Sequence, residues 1–344
     1  METSHRIQAD KLRTFTLHLC EAAGTPRDIA SKVSEILVNA DLKGHTSHGV
    51  LHIPWYLESI AQKGLIPDAT PEILRETPST ALVDARQGWG HYAAQWSMNL
   101  AIEKARVTGM GGVSLTRANH IGRLGEYAEQ AAAEGFIGIA TGGWGGPGTG
   151  GATPYGGADP ALSTNPIALG VPSGDGRHFI SDFATTMFAN AKIRVFQMRG
   201  MKLPPGCIVD KHGQPSVNPD DYFDGGRLLV FGGYKGYAFS LLTCLLGGLT
   251  GAFNPETRQI GGVFFQAISI SAFQPLETYQ QNVGDFLDGI RSIPPAPGFS
   301  EVLVPGDPER RAFAEGSANG IDLPEAVLSQ LKAWGKKLNL EMEL

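Results

Sequence analysis

The sequence predicts an α/β (α+β) fold outside the Rossmann class, with a helical layer built from both chain ends. Three observations predict it. Strand-like and helix-like segments alternate from about residue 76 onward. Helical patterns occupy the two ends of the chain. A glycine-rich stretch has the spacing of a dinucleotide-binding turn but lacks the helix that such a turn needs.

The elements follow in order. "QADKLRTFTLHLCEAAG" carries apolar residues at helical spacing and stops at a glycine. In "TPRDIASKVSEILVNADLKG", Thr25 is expected as N-cap, Pro26 at the first helical position, Asp28 in the first turn and Gly44 as the stop. The loop "HTSHGVLHIP" and a short helix "PWYLESIAQKG" come next. "TALVDARQ" reads as a strand, "YAAQWSMNLAIEKARVTG" as a helix and "GGVSLTRANH" as a strand. "RLGEYAEQAAAEG" is then a helix and "FIGIATGG" a strand ending near Thr141. "NPIALGVP" and "RHFISDF" are strands, and "ATTMFANAKIRVFQ" a helix. Residues 201–226 are rich in turns. "KGYAFSLLTCLLGGL" is expected to be a buried helix, "GGVFFQAISISAF" a strand and "ETYQQNVGDFLDGIRSI" a helix. Two more helices, "DPERRAFAEGSANG" and "PEAVLSQLKAWGKKLNL", close the chain.

Composition narrows the function class. The 344 residues suffice for one large or two ordinary domains, and 42% hydrophobic with 18% charged residues is ordinary for a globular protein. A net charge of −6 without a basic run argues against nucleic-acid binding. Cys20, Cys207 and Cys244 are odd in number and far apart, so a reducing, cytoplasmic setting is expected rather than a disulfide framework. "METSHRIQADKLRTF" has no apolar h-region, so no signal peptide is expected. The apolar run "YAFSLLTCLLGGLTGAF" is short for a membrane span and broken by glycines.

The glycine stretch "GGWGGPGTGGATPYGGADPALSTNP" contains Gly146, Gly148 and Gly151 at G-x-G-x-x-G spacing. A strand precedes it, but Pro154, Gly156, Gly157 and Pro160 stop a helix from starting behind it. No acidic residue follows at the distance a ribose contact requires. A loop closing its backbone onto a ligand is the functional alternative, since glycine permits close approach.

The candidate chemistry lies in four stretches. His45, His48 and His52 cluster in "HTSHGVLHIP". Gly44, Gly49 and Pro54 argue against a shared helix face, and no cysteine or carboxylate stands at ligand spacing, so no metal is expected. Hydrogen-bonding loop residues and acid–base groups both fit, histidine being suited to proton transfer near neutral pH. His120 falls past a strand's C-terminal end, where α/β proteins bind ligands, and could otherwise cap the next helix. Asp182 ends a strand before Ala184, Thr185 and Thr186, which are expected to open a helix. Asp182 would be a plain N-cap or would orient a histidine or substrate, with the threonines and the helix start binding an anion. Lys235 stands at the mouth of an apolar helix, the end that does not favour a cation, so an anionic partner is expected.

Together these stretches resemble the malate/L-lactate dehydrogenase type-2 family of NAD(P)-dependent oxidoreductases, also described as sulfolactate-dehydrogenase-like. The resemblance runs in order through "ADLKGHTSHGVLHIPWYLESI", "GVSLTRANHIGRLGEYAEQAAAEG", "GGADPALSTNPIALGVP", "SDFATT", "GGYKGYAFSLL" and "VPGDPE". "HIGRLGEYAEQ", "PPGCIVDKHGQPSVNP" and "YKGYAF" look closest to the hydroxycarboxylate dehydrogenase B branch. It implies a mixed-sheet NAD-binding domain over residues 76–304, a helical domain from 1–75 plus 305–344, and a substrate cleft at their junction.

The resemblance further implies a hydride transfer between nicotinamide and a 2-oxo/2-hydroxy carboxylate in a homodimer, without nucleic-acid or membrane partners. NAD (NADH) is the expected cofactor, with NADP as the alternative. It places Ser47 and His48 of the S-H-G motif and His120 of the N-H-x-G motif in the substrate site, with either histidine as proton donor or acceptor. Asp182 is expected to orient. Thr164, Asn165, Pro166, Ile180, Ser181, Asp182, Phe183, Ala184, Thr185, Thr186, Tyr234, Lys235, Gly306, Asp307 and Pro308 would contact the cofactor.

Two positions depart from the family pattern. His52 stands where many members have the arginine taken to hold the substrate carboxylate, which disfavours malate and favours an apolar or uncharged side chain. Gly142, Gly143 and Trp144 replace Asn-Ser, and Trp144 could wall the substrate pocket or plug the core. Alternatives are a malate, lactate or ureidoglycolate dehydrogenase, a cyclic-imine reductase, or a catalytically altered ligand-binding homologue.

Overall fold

The computed structural model describes residues 4–340. Residues 1–3, where the leader reading begins, and 341–344, the end of the expected helical unit, lie outside them. The chain opens with β1 (Ser4–Ile7), α1 (Ala9–Ala22) and α2 (Arg27–Leu42). Two 3-10 turns, Thr46–His48 and Val50–His52, lead into α3 (Ile53–Ala61). Strands β2 (Glu72–Glu76) and β3 (Thr80–Asp84) precede α4 (Gly90–Thr108). Then come β4 (Met110–Thr116), α5 (Gly125–Ala133), β5 (Phe136–Gly145), β6 (Ile167–Val171) and β7 (Phe179–Phe183). A small insertion holds α6 (Asn190–Met198), β8 (Ile208–Val209), β9 (Pro215–Ser216), α7 (Pro219–Phe223) and β10 (Arg227–Leu228). Helix α8 (Tyr234–Gly247), β11 (Phe253–Asn254), β12 (Gln259–Ser269) and α9 (Leu276–Arg291) follow. The chain ends with α10 (Asp307–Asn319), β13 (Ile321–Pro324) and α11 (Glu325–Lys337).

The two ends of the described chain lie together. β1 pairs antiparallel with β13, and Leu12, Phe15, Leu19, Ile29, Val33 and Leu37 share a buried core with Ile321, Leu323 and Leu331. Thr25 does not cap α2, whose side-chain cap is absent. Its hydroxyl instead accepts a 3.0 Å hydrogen bond from the buried Trp89 indole N–H, tying the helical layer to the start of α4.

The eight-stranded sheet is mixed, in the order β2-β3-β4-β12-β5-β6-β7 with β11 on β12. β3 and β4 are parallel, whereas β12 runs antiparallel to both β4 and β5. Tyr127 of α5 packs edge-on against Phe265, while Gly143 meets the backbone of Thr243 and Cys244 in α8. Phe265 pairs with Ala140, three residues from Gly143, so α5 and α8 cover opposite faces.

The strand directions decide where the singled-out residues go. β3, β4, β5 and β7 all end at one edge, and β6 begins there. The loop to His120, the segment 142–144, Thr164 to Pro166 and Asp182 with Phe183 therefore gather along that edge.

Three further expectations are corrected. The strand ending near Thr141 continues through Gly142, Gly143 and Trp144 to Gly145, because β12 supplies partners as far as Ile260. No helix opens at Ala184: Thr185 and Thr186 are buried, Thr185 N–H bonds to Thr164 O, Thr186 bridges Val230, and α6 starts at Asn190. Helix α8 is not buried all round. Ser240, Thr243, Cys244 and Gly247 face the sheet and Gly236 packs on the Phe231 backbone, while Phe239, Leu241, Leu242 and Leu245 are exposed. Small residues allow the close approach to β5, which leaves the large apolar ones outside.

Candidate active site

The S-H-G turn is held from beneath by a buried carboxylate. Asp41, near the end of α2, accepts a 2.8 Å hydrogen bond from Val50 N–H. A Cβ on Gly49 would lie 2.0 Å from Asp41 Oδ1, so only glycine fits between the turn and that carboxylate. Burial raises the Asp41 carboxyl to about 7, against the Val50 amide, which lowers it.

This turn brings Ser47, His48 and His52 together with His120. Ser47 Oγ lies 3.0 Å from His48 Nδ1. His52 Nε2 donates to Ser47 O at 2.8 Å, which closes the turn. The His48 and His120 rings stack with centroids 5.9 Å apart, and His52 meets His120 edge-on at 5.4 Å. Burial, then the neighbouring histidines, lower His48 to about 4 and His120 to about 3. Both rings are therefore neutral at physiological pH, and each can hydrogen-bond to a substrate oxygen or exchange a proton with it. His45 is turned elsewhere, toward Glu309 of α10 at 3.2 Å.

Asp182 does not touch these histidines. Its Oδ2 accepts from Gly125 N–H at 2.7 Å, at the start of α5, and faces the Arg123 guanidinium at 3.7 Å. β7 delivers the carboxylate to the first amide of the neighbouring helix, which it caps.

Several residues of the expected cofactor set form hydrogen bonds within the fold. Asn165 is buried with a positive φ, accepts from Trp144 N–H at 3.0 Å and donates to Ser240 Oγ at 2.9 Å. Thr164 O and Pro166 O accept from Thr185 N–H and Gly142 N–H. The Thr185 and Thr186 hydroxyls donate to Thr164 O and Phe188 O. Asp307 is held by Arg291 and Arg310 and accepts from Val304 N–H at 3.0 Å, which keeps its carboxyl down at about 2. Ile180 N–H bonds to Pro305 O, so β7 and the turn through Gly306 and Pro308 are adjacent.

Other members of that set stay open to a ligand. Phe183, Tyr234 and Lys235 are exposed, Ser181 and Ala184 half-buried, and among the described residues Lys235 has no ion pair. Phe231 N–H bonds to Thr185 O, which brings the start of α8 to the end of β7. Trp144, also exposed, lies along the same edge and lines a cavity of about 470 Å³ with Phe253, Asn254 and Ile260. Among the described residues, no group of three His, Cys, Asp or Glu is arranged to hold a metal ion.

Sequence reasoning missed Asp41, Trp55, Tyr56, His91 and Arg123, all placed around the histidines. Trp55 and Tyr56 lie one turn beyond His52, a spacing that could have pointed to them.

Comparison with known proteins decides the family. The sequence matches malate/L-lactate dehydrogenase over residues 7–332. The chain belongs to the malate/L-lactate dehydrogenase family. It is 35% identical to the L-sulfolactate dehydrogenase of Methanocaldococcus jannaschii over 352 residues, 99% of this chain and 97% of that protein. It is 36% identical to the hydroxycarboxylate dehydrogenase B of Escherichia coli O157:H7 over 72% of this chain and 69% of that one. The solved structure of the sulfolactate dehydrogenase from Methanocaldococcus jannaschii superposes with a TM-score of 0.90 at 33% identity, covering 98% of each chain. Family membership makes this chain a hydroxycarboxylate dehydrogenase that uses a nicotinamide cofactor.

Proposed function

We propose that the protein reduces a 2-oxo acid, and oxidises the matching 2-hydroxy acid, with His48 and His120 as the proton and polarising groups. The observation that carries this is the stacked pair of neutral rings, 5.9 Å apart, beside the sheet edge that gathers the cofactor-facing segments. The bound nicotinamide supplies or accepts the hydride. His48 or His120 hydrogen-bonds the substrate oxygen and exchanges its proton, while Ser47 holds the other His48 nitrogen. Phe183, Ala184, Tyr234 and Lys235 fit a dinucleotide: an exposed ring, half-buried backbone and an unpaired cation lie together at the start of α8. NADH is the favoured form. Arg291 and Arg310, which flank the Gly306 turn, are both engaged by Asp307, whereas a 2′-phosphate calls for a free arginine.

An apolar or uncharged substrate side chain is favoured. His52 occupies the expected arginine position and is tied to Ser47 O, and the exposed Trp55 ring stands 6.0 Å from His120. The catalytic cleft falls at the junction of a helical unit (1–75 plus 305–344) and an α/β unit (76–304). A homodimer covering the exposed apolar side of α8 is part of this reading. So is a cytoplasmic location, supported by three buried free cysteines; no helix among the described residues is long and apolar enough to cross a membrane. A panel of 2-oxo acids assayed with NADH and NADPH in parallel tests the proposal. Turnover of an uncharged 2-oxo acid with NADH is expected. Turnover of cyclic imines alone, or ligand binding without turnover, would overturn it.

A further inference from the structure

Behind His120, on the side away from solvent, lie two groups that the reaction as described does not use. Tyr56 Oη is 2.7 Å from His120 Nδ1 and 3.5 Å from His91 Nε2. Tyr56 is 2% exposed and His91 fully buried. The arrangement is set by backbone contact. A Cβ on Gly90 would lie 2.1 Å from Asn119 O and 2.3 Å from His120 O, so the His120 loop rests directly on the first turn of α4, beside His91.

We propose that Tyr56, backed by His91, is a positioning residue that fixes neutral His120 with its proton on Nε2. This rests on the reading of His120 as a site histidine. A proton count fixes the tautomer. The Tyr56 hydroxyl has one proton and two imidazole neighbours. The 2.7 Å contact is a strong hydrogen bond and the 3.5 Å contact is at the limit of one. His91 Nδ1 is buried and has no hydrogen-bond partner among the described residues, so a proton there would be an unsatisfied donor and neutral His91 carries its proton on Nε2, facing Tyr56 Oη. The hydroxyl proton is then left for His120 Nδ1, which must be bare to accept it. Neutral His120 then carries its own proton on Nε2, across the ring from Tyr56. His91 Nε2–H can donate to the lone pair left on Tyr56 Oη.

Neither backing group changes charge in the working pH range. Burial holds the Tyr56 phenol above its ordinary range and His91 well below its own. The titratable groups facing His120 are His48, His52, His91 and Tyr56, with the Trp55 ring at its edge. An Nε2–H is the form that donates a hydrogen bond to a carbonyl oxygen, so the fixed tautomer suits polarisation of a 2-oxo acid.

The test is Tyr56→Phe, which keeps the ring contacts and removes only the hydroxyl, with His91→Gln as a second variant. In ¹⁵N-histidine-labelled protein free of ligands, two-bond proton–nitrogen correlations report each tautomer. Wild-type His120 is expected in the Nε2–H form and the Tyr56→Phe variant in a mixture. kcat is expected to fall about 10- to 100-fold, part of what acid–base groups contribute, with KM little changed. His91→Gln is expected to give the same tautomer mixing to a lesser degree. A wild-type Nδ1–H signature, or an unchanged tautomer and kcat in Tyr56→Phe, would overturn the proposal. Failure of the site reading looks different: His120→Ala would then turn over at the wild-type rate, whatever the tautomer signals show.

Discussion

Gly49→Ala is the sharpest single perturbation of the site. Gly49 has φ −94°, which alanine adopts freely, so backbone strain is not at issue. The added methyl would meet Asp41 at 2.0, 2.2 and 2.3 Å from Oδ1, Cγ and Oδ2. Either the carboxylate leaves its place or the turn carrying Ser47 and His48 lifts. Overpacking costs about 1–3 kcal/mol. Losing the hydrogen bond between Val50 N–H and buried Asp41 adds about 1–3 kcal/mol. The sum, roughly 2–6 kcal/mol, corresponds in a chain of 344 residues to a fall in Tm of about 3–8 °C. Thermal melting followed by intrinsic fluorescence measures it, and kcat/KM should fall in the same variant because His48 moves with the turn. Asp41→Ala combined with Gly49→Ala frees the space, so the double variant should be less destabilised than the two single effects added together. Wild-type Tm and kcat/KM in Gly49→Ala would show that the turn is not seated on Asp41.

Three further outcomes follow from named contacts. Asp41 has a higher pKa folded, about 7, than the roughly 3.9 of an unfolded aspartate, so its stabilisation is full below that lower value and is lost as pH rises through 7. Urea unfolding should show the stability of wild type relative to Asp41→Asn falling between pH 5 and 8, and a rise would contradict the buried carboxyl. Thr25→Val leaves the Trp89 indole N–H buried without an acceptor and should cost about 1–3 kcal/mol in urea unfolding, whereas a plain helix cap would leave the Trp89 environment unchanged. His52→Arg should raise kcat/KM for a dicarboxylic 2-oxo acid relative to an uncharged one by roughly 10- to 100-fold, the worth of a charged hydrogen-bonded pair; an unchanged ratio would remove position 52 from substrate selection.

The alternating middle and the helical ends were legible because apolar periodicity and glycine stops are local signals. The pairing of β1 with β13 was not, since four residues at each end carry no pattern of their own. β5 runs past Thr141 only because β12, far along the chain, lies beside Gly142 and Gly143. α8 read as buried because its sequence is apolar throughout; only the sheet decides that its small residues face inward. In the site, His48, His52 and His120 were recognisable as motif residues and do converge. Asp182 and Asn165 were recognisable too, but their bonds to Gly125 N–H and to Ser240 Oγ are announced by no spacing. Tyr56 and His91 were invisible because a tyrosine and a histidine in helices read as core until the fold sets them behind His120.

The most direct measurement is NADH oxidation at steady state for the best uncharged 2-oxo acid, in wild type, His48→Ala and His120→Ala. With these two rings as the proton and polarising groups, kcat/KM should fall by about 10²–10⁴ in at least one variant while the folded state, checked by circular dichroism, is kept. Wild-type turnover in both variants would contradict the assignment of this histidine pair as the reacting centre.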